Sequence, residues 1–199
     1  MKRYKKKRSL AVIILAFPII FCVVFALFKW GIRGAVVTST TVKSFQEIKK
    51  AAEQGEAKSE FNLGNAYKYG LGVPVNDGEA VRWFRKSADQ GDAMAQCSLG
   101  VAYILGKGVE ANEGTAVEWF RKSADQGDVL AQNNLGNAYY FGRGVKKDVQ
   151  IAYEWFLLAS NGGNSKASEM LASIEDLLTP DEKLAARNWA RQWKPKPAQ

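Results

Sequence analysis

The ten residues WFRKSADQGD stand at Trp83–Asp92 and again, unchanged, at Trp119–Asp128, a step of 36 positions. A single catalytic site needs no second copy, so the repetition speaks first of architecture. Aligned to itself at that step, the chain shows a wider register. Gly55, Gly91, Gly127 and Gly163 coincide, as do Leu63, Leu99, Leu135 and Leu171. Three units agree more fully, matching Tyr67, Tyr103 and Tyr139 in one half and Trp83, Trp119 and Trp155 in the other. A period between about 20 and 50 residues means stacked supersecondary units, each burying its apolar face against the next.

Within a unit the apolar spacing is helical twice over. Ala95, Leu99, Ala102 and Tyr103 fall at i, i+4, i+7 and i+8, one face of a helix that Gly106 stops. Ala116, Trp119, Phe120 and Ala124 make a second stripe, closed by Gly127. Each unit is a helical hairpin in which Leu, Tyr and Trp fill the space between neighbours, so Leu63, Tyr67, Trp83, Leu99, Tyr103, Trp119, Leu135, Tyr139 and Trp155 form the expected repeat core. Packing alone does not call for an identical Arg-Lys-Ser-Ala-Asp-Gln surface, which points to recent internal duplication.

LGNAYKYGLGV, LGVAYILGKGV and LGNAYYFGRGV, each followed by an Ala-x-x-Trp helix and SADQGD or its equivalent, resemble Sel-one-like repeats, the 36-residue relatives of tetratricopeptide repeats. The resemblance covers 44–178, with full units at 57–92, 93–128 and 129–164. It implies an all-α, right-handed α-solenoid of helical hairpins. EIKKAAEQG before the units resembles a lone second helix, and SKASEMLASIEDLL after them a lone first helix. Thr179, Pro180 and Glu182 then give a capping-box start to a helix over 179–193, whose Leu184, Ala185, Trp189 and Trp193 are expected to cover the last hairpin. KPKPAQ, residues 194–199, reads as a disordered tail.

The net charge of +8 resembles that of a nucleic-acid binder until it is divided along the chain. The eight bases of residues 1–34 face no acid, which leaves 20 of each sign in 35–199. The repeat region is neutral, so the excess speaks of membrane orientation rather than phosphate binding. From Leu10 to Phe28 no residue is charged, and as a helix this stretch reaches about 28 Å, a bilayer core. Residues 1–9 are expected to be a cytoplasmic basic tail, 10–28 a transmembrane signal anchor kinked at Pro18, and 29–43 a linker. The apolar run exceeds a cleaved signal core and lacks a small-x-small site after it. In a bacterium this places the anchor in the inner membrane and the repeats in the periplasm. Cys97 is then the one exported cysteine, without a partner for a disulfide.

Positions that vary between units are free to carry recognition. One first-helix stripe spaced 3, 4, 3 reads Lys58, Phe61, Asn65, Lys68 in the first unit, Met94, Cys97, Val101, Ile104 in the second and Leu130, Asn133, Asn137, Tyr140 in the third. A solvated face is the plain reading. An apolar central unit flanked by aromatic residues favours a partner-binding groove. The chain has no histidine, which removes His-based triads and imidazole metal sites. Its glycine pairs lack the strand and Lys-Ser/Thr of a phosphate loop. No enzyme activity, cofactor, metal, nucleic acid or small-molecule substrate is expected. The resemblance implies adaptor, regulatory or assembly work with another protein, often at the bacterial envelope. Two narrower roles fit it: an immunity protein neutralising a phospholipase effector of type VI secretion, and a periplasmic regulator of an inner-membrane sensor kinase.

Overall fold

The computed structural model describes residues 44–197. The expected basic tail 1–9, membrane helix 10–28 and linker 29–43 lie outside the described residues. Among those described, no strand forms and no helix is long and apolar enough to cross a membrane. The elements are α1 (44–53), α2 (Ala57–Tyr69), α3 (Asp77–Asp89), α4 (Ala93–Leu105), α5 (Glu113–Asp125), α6 (Val129–Phe141), α7 (Val149–Asn161), α8 (Ser165–Ile174), a single 3-10 turn (Glu175–Leu177) and α9 (Pro180–Gln192). Consecutive helices pack together from α2 to α8, and α9 folds back on α7. The result is a helical solenoid with one hairpin per 36-residue unit.

Close approach inside each hairpin depends on a missing side chain. A Cβ on Gly100 would stand 2.5 Å from the Phe120 ring, and Gly64 and Gly136 meet Phe84 and Phe156 in the same way. The glycine lets a buried aromatic ring of the second helix lie against the backbone of the first. Between hairpins the work passes to Trp and Leu. Trp119 is buried among Ala80, Phe84 and Ala88 of the preceding unit and Leu99 of its own, while Leu63, Leu99 and Leu135 are fully enclosed. Tyr67, Tyr103 and Tyr139 are half-buried at the edge of these clusters.

The joint between units is three residues long. The Gly127 N–H reaches the Ala124 carbonyl and the Asp128 N–H the Ser123 carbonyl, at 2.9 and 3.2 Å. This is a Schellman closure, and it requires the positive φ of 95° that Gly127 adopts. Asp128 then caps the next helix, its carboxylate accepting from the Ala131 N–H at 2.7 Å. Gly91 and Asp92 repeat the arrangement at the preceding joint.

These bonds correct the reading of the repeated surface as free of structural demand. The Ser87 and Ser123 hydroxyls donate to the Ala57 and Ala93 carbonyls at 2.7 and 2.6 Å. Gln90 donates to the buried Glu60 at 2.6 Å, and Gln126 to the buried Gln96 at 2.8 Å. Arg85 donates to the Tyr103 hydroxyl at 2.5 Å, and Arg121 does the same to Tyr139. Lys86 and Lys122 each sit 4.3 Å over their own Trp83 and Trp119 rings. Most letters of WFRKSADQGD therefore have a partner in the stack, so the repeated surface carries structural demand as well as the mark of duplication.

At the C-terminal end two expectations change. α9 begins at a capping box joining Thr179 and Glu182, whose backbone hydrogen bond from Thr179 holds the Glu182 carboxyl below the usual range. Its inward face is Ala186, Trp189 and Ala190, with Trp193 at the C-cap, whereas Leu184 and Ala185 are exposed. Trp189 meets Trp155 edge to face at 5.6 Å. Residues 194–197 are not a free tail: Lys196 bonds to Asp125 across the stack.

Two substitutions test this architecture by chemical denaturation of the full chain. Trp119→Ala empties an inter-unit site and should cost about 3–5 kcal/mol. Gly100→Ala should lower the midpoint as well. The overpacking penalty of about 1–3 kcal/mol outweighs the roughly 1 kcal/mol that Ala gains over Gly in a helix.

Candidate functional site

The first helices enclose a groove of about 610 Å³ that runs over α2 and α4 to the start of α6. It gathers Phe61, Asn65, Lys68, Met94, Cys97, Val101 and Leu130 of the variable stripe. A second hollow of about 380 Å³ follows, lined by Val101, Ile104 and Asn137 with Leu105, Phe141 and Arg143. Val101 belongs to both, so the two concavities adjoin along α4. Lys58 and Tyr140 line neither hollow. The Lys58 ammonium lies 3.7 Å from the Met94 sulfur and 5.3 Å from the Phe61 ring. Tyr140 packs edge to face on Phe141 at 4.8 Å.

Burial divides the stripe. Met94 and Leu130 are 47% and 63% exposed and stand up from the groove. Phe61, Cys97 and Asn133, the second member in each unit, are buried, which corrects their reading as an open contact surface. Phe61 belongs to the hairpin core, 5.8 Å from the Phe84 ring, and is 7% exposed where it lines the groove. Asn133 sits at the equivalent position with an Oδ1 that meets no donor among the described residues. Cys97 packs with Val117, Phe120 and Leu135. Burial, with the Asp128 carboxylate as the second cause, pushes its thiol from the ordinary 9.0 up to about 12. The fold favours the neutral thiol, so the stability this gives holds below pH 9.0 and is lost as pH rises toward 12.

The stripe misses a neighbouring row. Tyr69, Leu105 and Phe141 close the three first helices and are 62%, 58% and 56% exposed. They carry three different side chains, all large and apolar, at one position of the repeat. The signal in the sequence is an apolar site that persists through every unit yet lies off the Leu and Tyr core positions. With Met94 and Leu130 they give the first-helix side a run of exposed apolar residues. Lys58 and Lys68 stand at its α2 end, and the Asp128 carboxylate facing it is already committed to capping α6. Among the described residues no cluster of metal-ligating side chains forms.

The thiol supplies a direct check on burial. In a Cys22→Ser chain at pH 8, iodoacetamide should alkylate Cys97 at least about a hundredfold more slowly than in the same chain unfolded in urea, because the thiolate is both scarce and covered.

A family model of the Sel1 repeat matches residues 57–92, 93–128 and 129–164. No curated protein matches the chain. Among solved structures, a Sel1 repeat protein from Oxalobacter formigenes superposes with a TM-score of 0.65 at 30% identity, covering 76% of this chain and 64% of that one. A protective antigen present in uropathogenic Escherichia coli strains, with the same repeat fold, gives 0.58 at 31% identity over 76% and 40%. Helicobacter pylori cysteine rich protein B gives 0.55 at 23% over 68% and 97%, a likeness of fold alone. The chain thus spans less than two thirds of the length of the first two structures. Three consecutive matched units fill more than half of the chain, and it belongs to the Sel1 repeat family.

Proposed function

We propose that this chain is a non-catalytic, membrane-anchored binding module that holds another protein in the groove along its first helices. Sel1 repeat proteins generally mediate protein–protein interaction. The observation that carries the reading here is the exposed apolar run of Tyr69, Met94, Leu105, Leu130 and Phe141 beside two adjoining hollows. Exposed apolar side chains strung along one side of a stack and lining adjoining hollows are of the kind that marks partner sites. The same residue classes supply the anchors of protein interfaces. The complete lack of histidine in the sequence keeps the reading away from acid–base and metal catalysis.

The anchor rests on the sequence. Residues 10–28 are uncharged, six bases precede them, and only Lys29 and Arg33 closely follow. That asymmetry keeps the N-terminus in the cytoplasm and sends the repeats across the membrane, into the periplasm of a bacterial cell. The bacterial sources of the first two similar structures agree with such an origin. An adaptor or regulatory role at the envelope follows.

Photocrosslinking in intact membranes tests this reading. A photoreactive residue at Met94, Leu105 or Leu130 should capture one and the same protein band, and the same residue at Arg82 on α3, exposed and outside both hollows, should not. The band should vanish when Val101 and Ile104 are both changed to Asp in a chain that keeps its cooperative melt. Equal capture from both helix faces, or a band indifferent to the Asp changes, sinks the groove. The captured protein's identity separates an adaptor from an inhibitor: a secreted toxin in the band makes the chain an inhibitor.

A further inference from the structure

The last helix delivers a short extended segment to the second-helix side of the stack. Trp193 leaves α9 with φ −64° and ψ 138°. Pro195 and Pro197 fix their own φ and bias the lysines before them to extended backbone. Lys196 then bonds twice to one residue. Its N–H donates to the Asp125 carbonyl at 2.7 Å, and its ammonium to Asp125 Oδ2 at 2.8 Å. Pro195 lies over Gly127, where an added Cβ would stand 3.4 Å from the proline ring. Past the tail a cleft of about 480 Å³ continues, lined by Val117, Glu118, Arg121, Gln126 and Val145.

We infer that the C-terminal end of α5 carries a docking site for an extended Lys-Pro segment, and that the chain's own tail is its resident, displaceable occupant. The site offers what such a segment needs. A carboxylate and a helix-terminal carbonyl together face an ammonium and a main-chain N–H, at the end of a helix whose dipole favours a cation. The Pro195 ring lies against Gly127 beside them. The third unit has Asn161 where the second has Asp125, so it lacks the carboxylate, and the tail reaches back past it.

The grip is slight, which makes the occupant displaceable. Residues 194–197 are exposed, except for what lies under Lys196 and Pro195, and an ion pair whose lysine is 57% exposed holds little on its own. Lys196 and Pro197 form one wall of the cleft, whose other walls come from the second-helix side of the stack. A basic, proline-spaced segment of another chain competes for the same atoms and has further surface to cover. This site shares no residue with the first-helix groove, so its failure would leave that reading standing.

The probe is a fluorescent peptide of residues 193–199, WKPKPAQ, titrated by anisotropy into three full-length chains in detergent: wild type, Lys196→Glu, and Lys196→Glu with Asp125→Lys. A tethered tail acts at an effective concentration on the order of millimolar. The peptide should therefore bind the Lys196→Glu chain at least about fivefold more tightly than wild type, and lose that binding when Asp125→Lys is added. A peptide carrying Glu in place of Lys196 should fail against the Lys196→Glu chain, a control that asks no further change of the protein's fold. Equal affinity for wild type and Lys196→Glu, no binding to either, or binding indifferent to both charge reversals overturns the inference.

Discussion

A phenylalanine ring standing where a glycine has no Cβ sets the distance between the two helices of each hairpin. Gly64 and Phe84, Gly100 and Phe120, and Gly136 and Phe156 make the same contact three times. Other bonds of the stack need that separation. The Ser123 hydroxyl reaches the Ala93 carbonyl, and the Gln126 amide reaches Gln96, only because the helices already lie backbone to ring. Interiors packed to crystal-like density have no slack to restore such bonds once helices are pushed apart. The polar lattice is thus a consequence of the apolar contact, and in turn it satisfies groups that the contact buries.

That dependence separates the two helices of a unit into different trades. The second helix spends its surface on structure: Arg121 on Tyr139, Lys122 on Trp119, Ser123 and Gln126 on the first helix. Its likeness in the first two units goes with equivalent partners for Arg, Lys and Ser in both. The first helix gives Leu99, Gly100 and Ala102 to the core and is left with a flank that nothing in the stack constrains. Met94, Val101 and Leu105 vary against their equivalents there. A surface free to vary within a fixed frame is what a binding protein requires.

Much of this was legible because its causes are local or periodic. Gly91 with Asp92, and Gly127 with Asp128, announce joints, since a Schellman glycine followed by an N-cap acid is one short code. The tryptophans announce packing through their spacing. The groove was legible only in part. Phe61, Cys97 and Asn133 lie on the flank that a neighbouring hairpin or the unit's own second helix covers, and the spacing within one helix cannot say which flank that is. Tyr69, Leu105 and Phe141 lie one position beyond the 3, 4, 3 spacing, past a stripe that ends at Lys68, Ile104 and Tyr140. The tail was read from composition as disordered. Its partners, Asp125 and Gly127, sit some 70 residues earlier and become neighbours only through the return of α9.

The three-residue joint has a consequence for the history of such a chain. Because the same Gly-Asp pair ends one unit and opens the next, each joint is chemically indifferent to which unit follows it. Exchange between the two identical ten-residue stretches would excise one whole unit and leave a junction indistinguishable from a native one. The shortened stack would also keep its C-terminal fastening, for Asp89 would arrive in the place of Asp125 beneath Lys196. Length in this fold is a heritable variable that can change in whole steps without a damaged intermediate, and the span of the groove changes with it.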